Sequence, residues 1–139
     1  MKNIRIVAVY WDASAALSVL FQDQYTKEAL SWLNKNGFHF LSSLAYSEIY
    51  AVIARMKREN ILNELFIKTA LRTLQTEQWQ QLNVQPSLKI IHDIAWKSSL
   101  RGADLWHLAT AITLQKEIPE LSMLTFDNKL KAAASTEGL

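Results

Sequence analysis

The chain has 139 residues, half of them apolar and 20% charged, with a formal net charge of +2 and no cysteine. That is enough apolar content for a core, and too little charge for a disordered chain. It rules out a disulfide framework and thiolate chemistry, and no apolar run approaches the roughly 18–20 residues needed to cross a bilayer.

The longest apolar run, Ile4 to Trp11, contains only Arg5 as a charge. It is β-branched and aromatic, and it reads as a buried strand of a parallel sheet. Asp12 stops it. Ala13 to Gln22 then reads as a helix, and Thr26 to Asn36 as a second, with Gly37 where a left-handed cap is wanted. Phe38 to Leu41 alternates as a short second strand. Ser42 and Ser43 are N-cap candidates for a helix over Leu44–Arg58, whose apolar stripe runs through Ala45, Ile49, Val52, Ile53 and Met56. A further helix covers Ile61–Leu74. Trp79–Val84 reads as a third strand, Pro86 suits a helix start, and Leu88–Ser98 follows. Gly102 interrupts before a helix over Asp104–Lys116. Pro119 breaks the chain, Ser122–Phe126 reads as a fourth strand ended by Asp127, and Asn128–Ala134 as a last helix closed by Gly138. Strands alternating with helices argue an α/β sandwich around a mostly parallel sheet. The faintly basic start lacks a small-residue cleavage site, so no signal peptide is expected.

Open α/β sheets bind ligands at the carboxyl ends of their strands. Asp12 and Asp127 lie at such ends, although an Asp between strand and helix can equally serve as an N-cap. Glu48 falls on the otherwise apolar stripe of its helix, where a lone carboxylate is costly unless paired or metal-bound. Asp104 sits in the first turn of its helix, next to the small residues Gly102 and Ala103. Four carboxylates in one cleft would repel one another, and a divalent cation removes that penalty. Oxygen-only ligands suit Mg²⁺ or Mn²⁺ over Zn²⁺.

The segments Tyr10-Trp-Asp-Ala-Ser-Ala-Ala-Leu17, Ser47-Glu48-Ile49, Gly102-Ala-Asp-Leu-Trp-His-Leu-Ala-Thr-Ala111 and Leu124-Thr-Phe-Asp-Asn-Lys-Leu130 together resemble PIN domains. Within that family they are most similar to VapC-type toxins of bacterial type II toxin–antitoxin pairs. The resemblance spans Ile6 to Leu139, and the segment around Asp104 is its most specific part. It implies a single PIN-like domain over residues 1–139, a three-layer α/β/α sandwich with a central, mostly parallel sheet of four to five strands. It also implies an Mg²⁺- or Mn²⁺-dependent endoribonuclease in which Asp12, Glu48, Asp104 and Asp127 bind metal and catalyse. Ser14 and Thr125 match small hydroxyl positions beside the acids, and hydrogen bonds from them to the acids are implied.

The expected reaction is in-line attack of an activated water on an RNA phosphodiester, leaving a 5′-phosphate and a 3′-hydroxyl. Lys97, Arg101, Lys129 and Lys131 could contact flanking phosphates, or could simply be solvated. An antitoxin protein and a second copy of the chain are the implied partners, the latter through the apolar helices of Leu44–Leu74. A cytoplasmic location without a membrane is expected. His107 reads as a packed, hydrogen-bonded histidine, not a general base, and Trp11, Trp96 and Trp106 as core. The rival readings are a non-catalytic PIN-like scaffold that binds proteins, and a nuclease acting on DNA. A receiver domain is disfavoured because Asp12 has no acidic neighbour, and a phosphate-cradling enzyme because the three glycines form no rich loop.

Overall fold

The computed structural model describes residues 5–139. Its order is β1 (Val7–Trp11), α1 (Ala13–Leu20), α2 (Thr26–Leu33), β2 (Gly37–Ser42), α3 (Ser43–Arg58), α4 (Glu64–Thr76), β3 (Trp79–Leu82), α5 (Leu88–Lys97), α6 (Gly102–Gln115), β4 (Ser122–Leu124) and α7 (Asn128–Thr136). The four strands form one parallel sheet in the order β3-β2-β1-β4.

Strand alternation in β1 builds the two faces. Val9 and Trp11 enter the core shared with α1, α2, α3 and α4. Ala8 and Tyr10 enter the opposite core against Ala111 and Leu114 of α6. Helices α5 and α7 pack on α6 through Ile90, Ile94, Leu108 and Leu130. The result is the three-layer sandwich with a four-stranded parallel sheet. Because all strands run one way, their carboxyl ends share one edge. The chain leaves β1 toward β2 on one side and returns to β4 on the other, so the edge between β1 and β4 is the topological switch point.

Several element ends differ from the sequence reading. Ile4, the expected start of the first strand, lies outside the described residues. Within them β1 begins at Val7, where pairing to Gly37 begins, and Ile6 is 64% exposed. Helix α4 begins at Glu64 instead of Ile61, because the Asn63 side chain caps it by accepting from Phe66 N at 3.0 Å. Strands β3 and β4 end at Leu82 and Leu124, short of Val84 and Phe126. Gly102 does not interrupt a helix; it is the first residue of α6. Trp96 is not core. It is 80% exposed, edge-on to His92, because α5 turns Ile90 and Ile94 inward instead. Trp11 is fully buried and Trp106 half-buried.

Gly37 is also not a helix cap. It opens β2 with φ +149°, and a Cβ there would stand 1.9 Å from the Val7 carbonyl oxygen. Glycine is needed because β1 passes too close for any side chain. Gly37→Ala is therefore expected to destabilise the fold by at least about 2 kcal/mol. Gly102→Ala, where a Cβ meets nothing within 4 Å, should be neutral or stabilise by up to about 1 kcal/mol. Urea denaturation of both variants checks this, and equal midpoints would refute the close-approach account.

Candidate active site

Asp12 follows β1 directly and caps α1. Its Oδ1 accepts from Ala15 N at 2.9 Å and from the Ser14 hydroxyl at 2.7 Å. Its Oδ2 accepts from the Thr125 hydroxyl at 2.5 Å. The side chain is only 4% exposed. Burial pushes its pKa up, while the Thr125, Ala15 and Ser14 hydrogen bonds pull it back.

Asp127 stands three residues beyond the last β4 pair and caps α7, its Oδ1 accepting from Leu130 N at 2.9 Å. Thr125 bridges the two acids. It donates to Asp12 and accepts from Asp127 N at 3.2 Å. Ser14 likewise donates to Asp12 and accepts from Phe126 N at 3.4 Å.

Asp104 lies in the first turn of α6, and His107 lies one turn on, along the same face. Burial raises the Asp104 pKa most. The charges of Asp127, Asp12 and Glu48 raise it further. Asp104 thus lies within electrostatic range of the other three acids. Glu48, on α3, is 34% exposed at its side chain, and its Oε1 meets His107 Nε2 at 2.6 Å. His107 Nδ1 meets the Tyr10 hydroxyl at 2.6 Å.

The structure gathers the four acids at the switch point without closing them onto one another. Among the described residues no three acidic or histidine side chains stand close enough to hold an ion together. The donor set is nonetheless that of a hard divalent cation: carboxylate oxygens only, with Asp12 buried and the pKa values of Asp12 and Asp104 raised chiefly by burial. Asp104 and Asp127 open into a cavity of about 370 Å³ that Arg101 and Lys129 also line. Lys97 is turned away, 3.4 Å from Glu137, and Lys131 is exposed outside that cavity.

Tyr10 lies in the predicted first strand and is not among the predicted site residues. The available signal was its hydroxyl: a buried tyrosine needs a partner for that group. His39, which carries no sequence motif, is buried between Trp11 Nε1 and the Lys35 carbonyl, at 3.0 and 2.9 Å.

A parallel α/β/α sandwich with carboxylates at its switch point defines a class of proteins that bind ligands at strand ends. A sequence model of the PIN domain matches residues 9–135, and the chain belongs to the PIN domain family. No curated protein matches it by sequence. Among solved structures, PAE2754 from Pyrobaculum aerophilum is similar, with 15% identity over 92% of this chain and 80% of that one, and a TM-score of 0.60. VapBC2 from Rickettsia felis, bound to a DNA fragment from their promoter, is also similar. It shows 14% identity over 85% of this chain and 98% of that one, with a TM-score of 0.57. At such identities these likenesses bear on the fold.

A carboxyl whose pKa is raised by folding binds its proton more tightly folded than unfolded. Stability then falls as pH rises from the ordinary value, 3.8 for Asp12 and Asp104, toward the folded value. Asp104→Asn removes one such group. It is expected to melt higher than the parent near neutral pH without added metal, and the gain should vanish near about pH 3, where both carboxyls are protonated. Thermal melts across pH test this. Parallel profiles would show that the Asp104 charge is not under strain.

Proposed function

We propose that this chain is a metal-dependent endoribonuclease, the toxin of a type II toxin–antitoxin pair. The observation that carries this reading is the grouping of Asp12, Glu48, Asp104 and Asp127, with Asp104 feeling the charge of the other three. Membership of the PIN domain family and the likeness to VapBC2 support it.

In this reading the four acids would hold Mg²⁺ or Mn²⁺, with Asp12 and Asp104 the principal ligands. A divalent cation there supplies charge neutralisation and activates water for in-line attack on a phosphodiester. The chain's own residues do the rest. Ser14 and Thr125 orient both Asp12 oxygens. Arg101 and Lys129, beside Asp104 and Asp127, offer charge to the scissile strand's flanking phosphates. Single-stranded or looped RNA is the substrate class, since unpaired bases are accessible.

The partners this reading carries are an antitoxin protein and a second copy of the chain. Exposed Ile61, Leu65 and Phe66, at and before the start of α4, supply apolar surface for such contacts. No helix among the described residues is long and apolar enough to cross a membrane.

The test is cleavage of a mixed RNA pool by parent and Asp104→Asn protein, with Mn²⁺ and with EDTA. The parent should cut only with metal, and the variant should lose at least about 100-fold. Equal cutting by both would indicate a contaminant. Absence of cutting by either, with no Mn²⁺ bound, would favour a protein-binding scaffold. Cutting of single-stranded DNA in preference to RNA would reassign the substrate.

A further inference from the structure

Glu48 is the one acid of the four not at the start of a helix, so neither a cap nor a strand end fixes its carboxylate. What touches it is a hydrogen-bonded chain through the sheet's α6 face. The Tyr10 hydroxyl meets His107 Nδ1, and His107 Nε2 meets Glu48 Oε1, both at 2.6 Å. Tyr10 and His107 are both buried.

The chemistry of these groups gives the chain a direction. An ionised carboxylate can only accept, so the Glu48 contact takes its proton from His107 Nε2. Among the described residues the Tyr10 hydroxyl has no hydrogen-bond partner other than His107 Nδ1, so its own proton is directed there. A neutral imidazole that accepts at Nδ1 must carry its proton at Nε2, facing Glu48.

The geometry points to Tyr10 and His107 as a proton-directed relay that fixes the Nε2–H tautomer of His107 and thereby positions the Glu48 carboxylate in the site. These are positioning residues: they act through Glu48 and touch no reacting atom. The inference deepens the ribonuclease reading and rests on it for its purpose, although the tautomer itself does not depend on that reading. Hydrogen bonds that orient a ligating carboxylate are typically worth about 10–100-fold in metal affinity.

The experiment has two arms. Long-range ¹H–¹⁵N correlation on histidine-labelled protein near neutral pH reads the His107 tautomer, with the signal assigned by its loss in His107→Gln. The parent should show protonated Nε2 and a hydrogen-bonded, bare Nδ1. In Tyr10→Phe the Nδ1 shift should move toward that of an unbonded nitrogen. An imidazolium or an Nδ1–H tautomer in the parent would overturn the relay, whatever the variant does. In the second arm, free Mn²⁺ is read by electron paramagnetic resonance. Tyr10→Phe should bind Mn²⁺ about 10-fold more weakly than the parent, and equal affinity would overturn the positioning role. If the parent binds no Mn²⁺, the nuclease reading and the purpose assigned to the relay both fall, while the tautomer still decides whether the relay exists.

Discussion

The Asp12 carboxylate is withdrawn from water, and among the described residues it has no salt-bridge partner. Such a group is tolerable only if hydrogen bonds replace its hydration. Both oxygens are supplied, and the donors come from two distant stretches of chain, Ser14 and Ala15 at the start of α1 and Thr125 beyond β4. The Asp12 backbone joins the same junction, its N–H donating to the Leu124 carbonyl at 3.2 Å. One buried charge therefore fixes where β4 must lie against β1, and that contact creates the switch point at which the other acids assemble.

From that junction the topology does the gathering. Residues 12, 48, 104 and 127 are far apart in sequence, but parallel strands deliver every following loop or helix to one edge. The alternation of β1 then sorts its last two aromatic residues. Trp11 turns into the α1–α4 core, where His39 accepts its indole N–H. Tyr10 turns to the other face, where α6 presents His107. Shifting β1 by one residue would exchange them, placing a bulky indole where His107 now finds a hydroxyl.

Much of this was legible because the signals were local and strong. The continuous apolar run of β1, the stripe through Ala45, Ile49 and Ile53, and the N-cap Ser42 each reflect one element's own geometry. The errors fell where a neighbouring element decides. Gly37 looks like a cap when only α2 is considered, and its real constraint, the Val7 carbonyl, belongs to another strand. Trp96 was read as core from its residue type, but the inward face of α5 is filled by Ile90 and Ile94. The fourth strand stops at Leu124 because Thr125 turns to Asp12, a partner 113 residues away. Asp12, Asp104, Asp127 and Glu48 could be picked out by position. The path from Tyr10 through His107 to Glu48 could not, since it needs the facing register of β1 and α6.

Capping and chemistry are not competing explanations for these acids. Asp12 and Asp127 each commit Oδ1 to their own helix, and the second oxygen of Asp12 accepts from Thr125. Asp104 lies in the first turn of a helix that lacks a side-chain cap. The starts of α1, α6 and α7 thus all meet the acid cluster, and each brings the positive end of a helix dipole. That arrangement explains how a chain can fold with several carboxylates near one another before anything neutralises them. Helix ends and hydroxyl donors offset part of that cost, and the raised pKa values of Asp12 and Asp104, set chiefly by burial, are what is left over. For Asp104 the charges of Asp127, Asp12 and Glu48 add to burial, and such a carboxyl is relieved by a proton or by positive charge nearby.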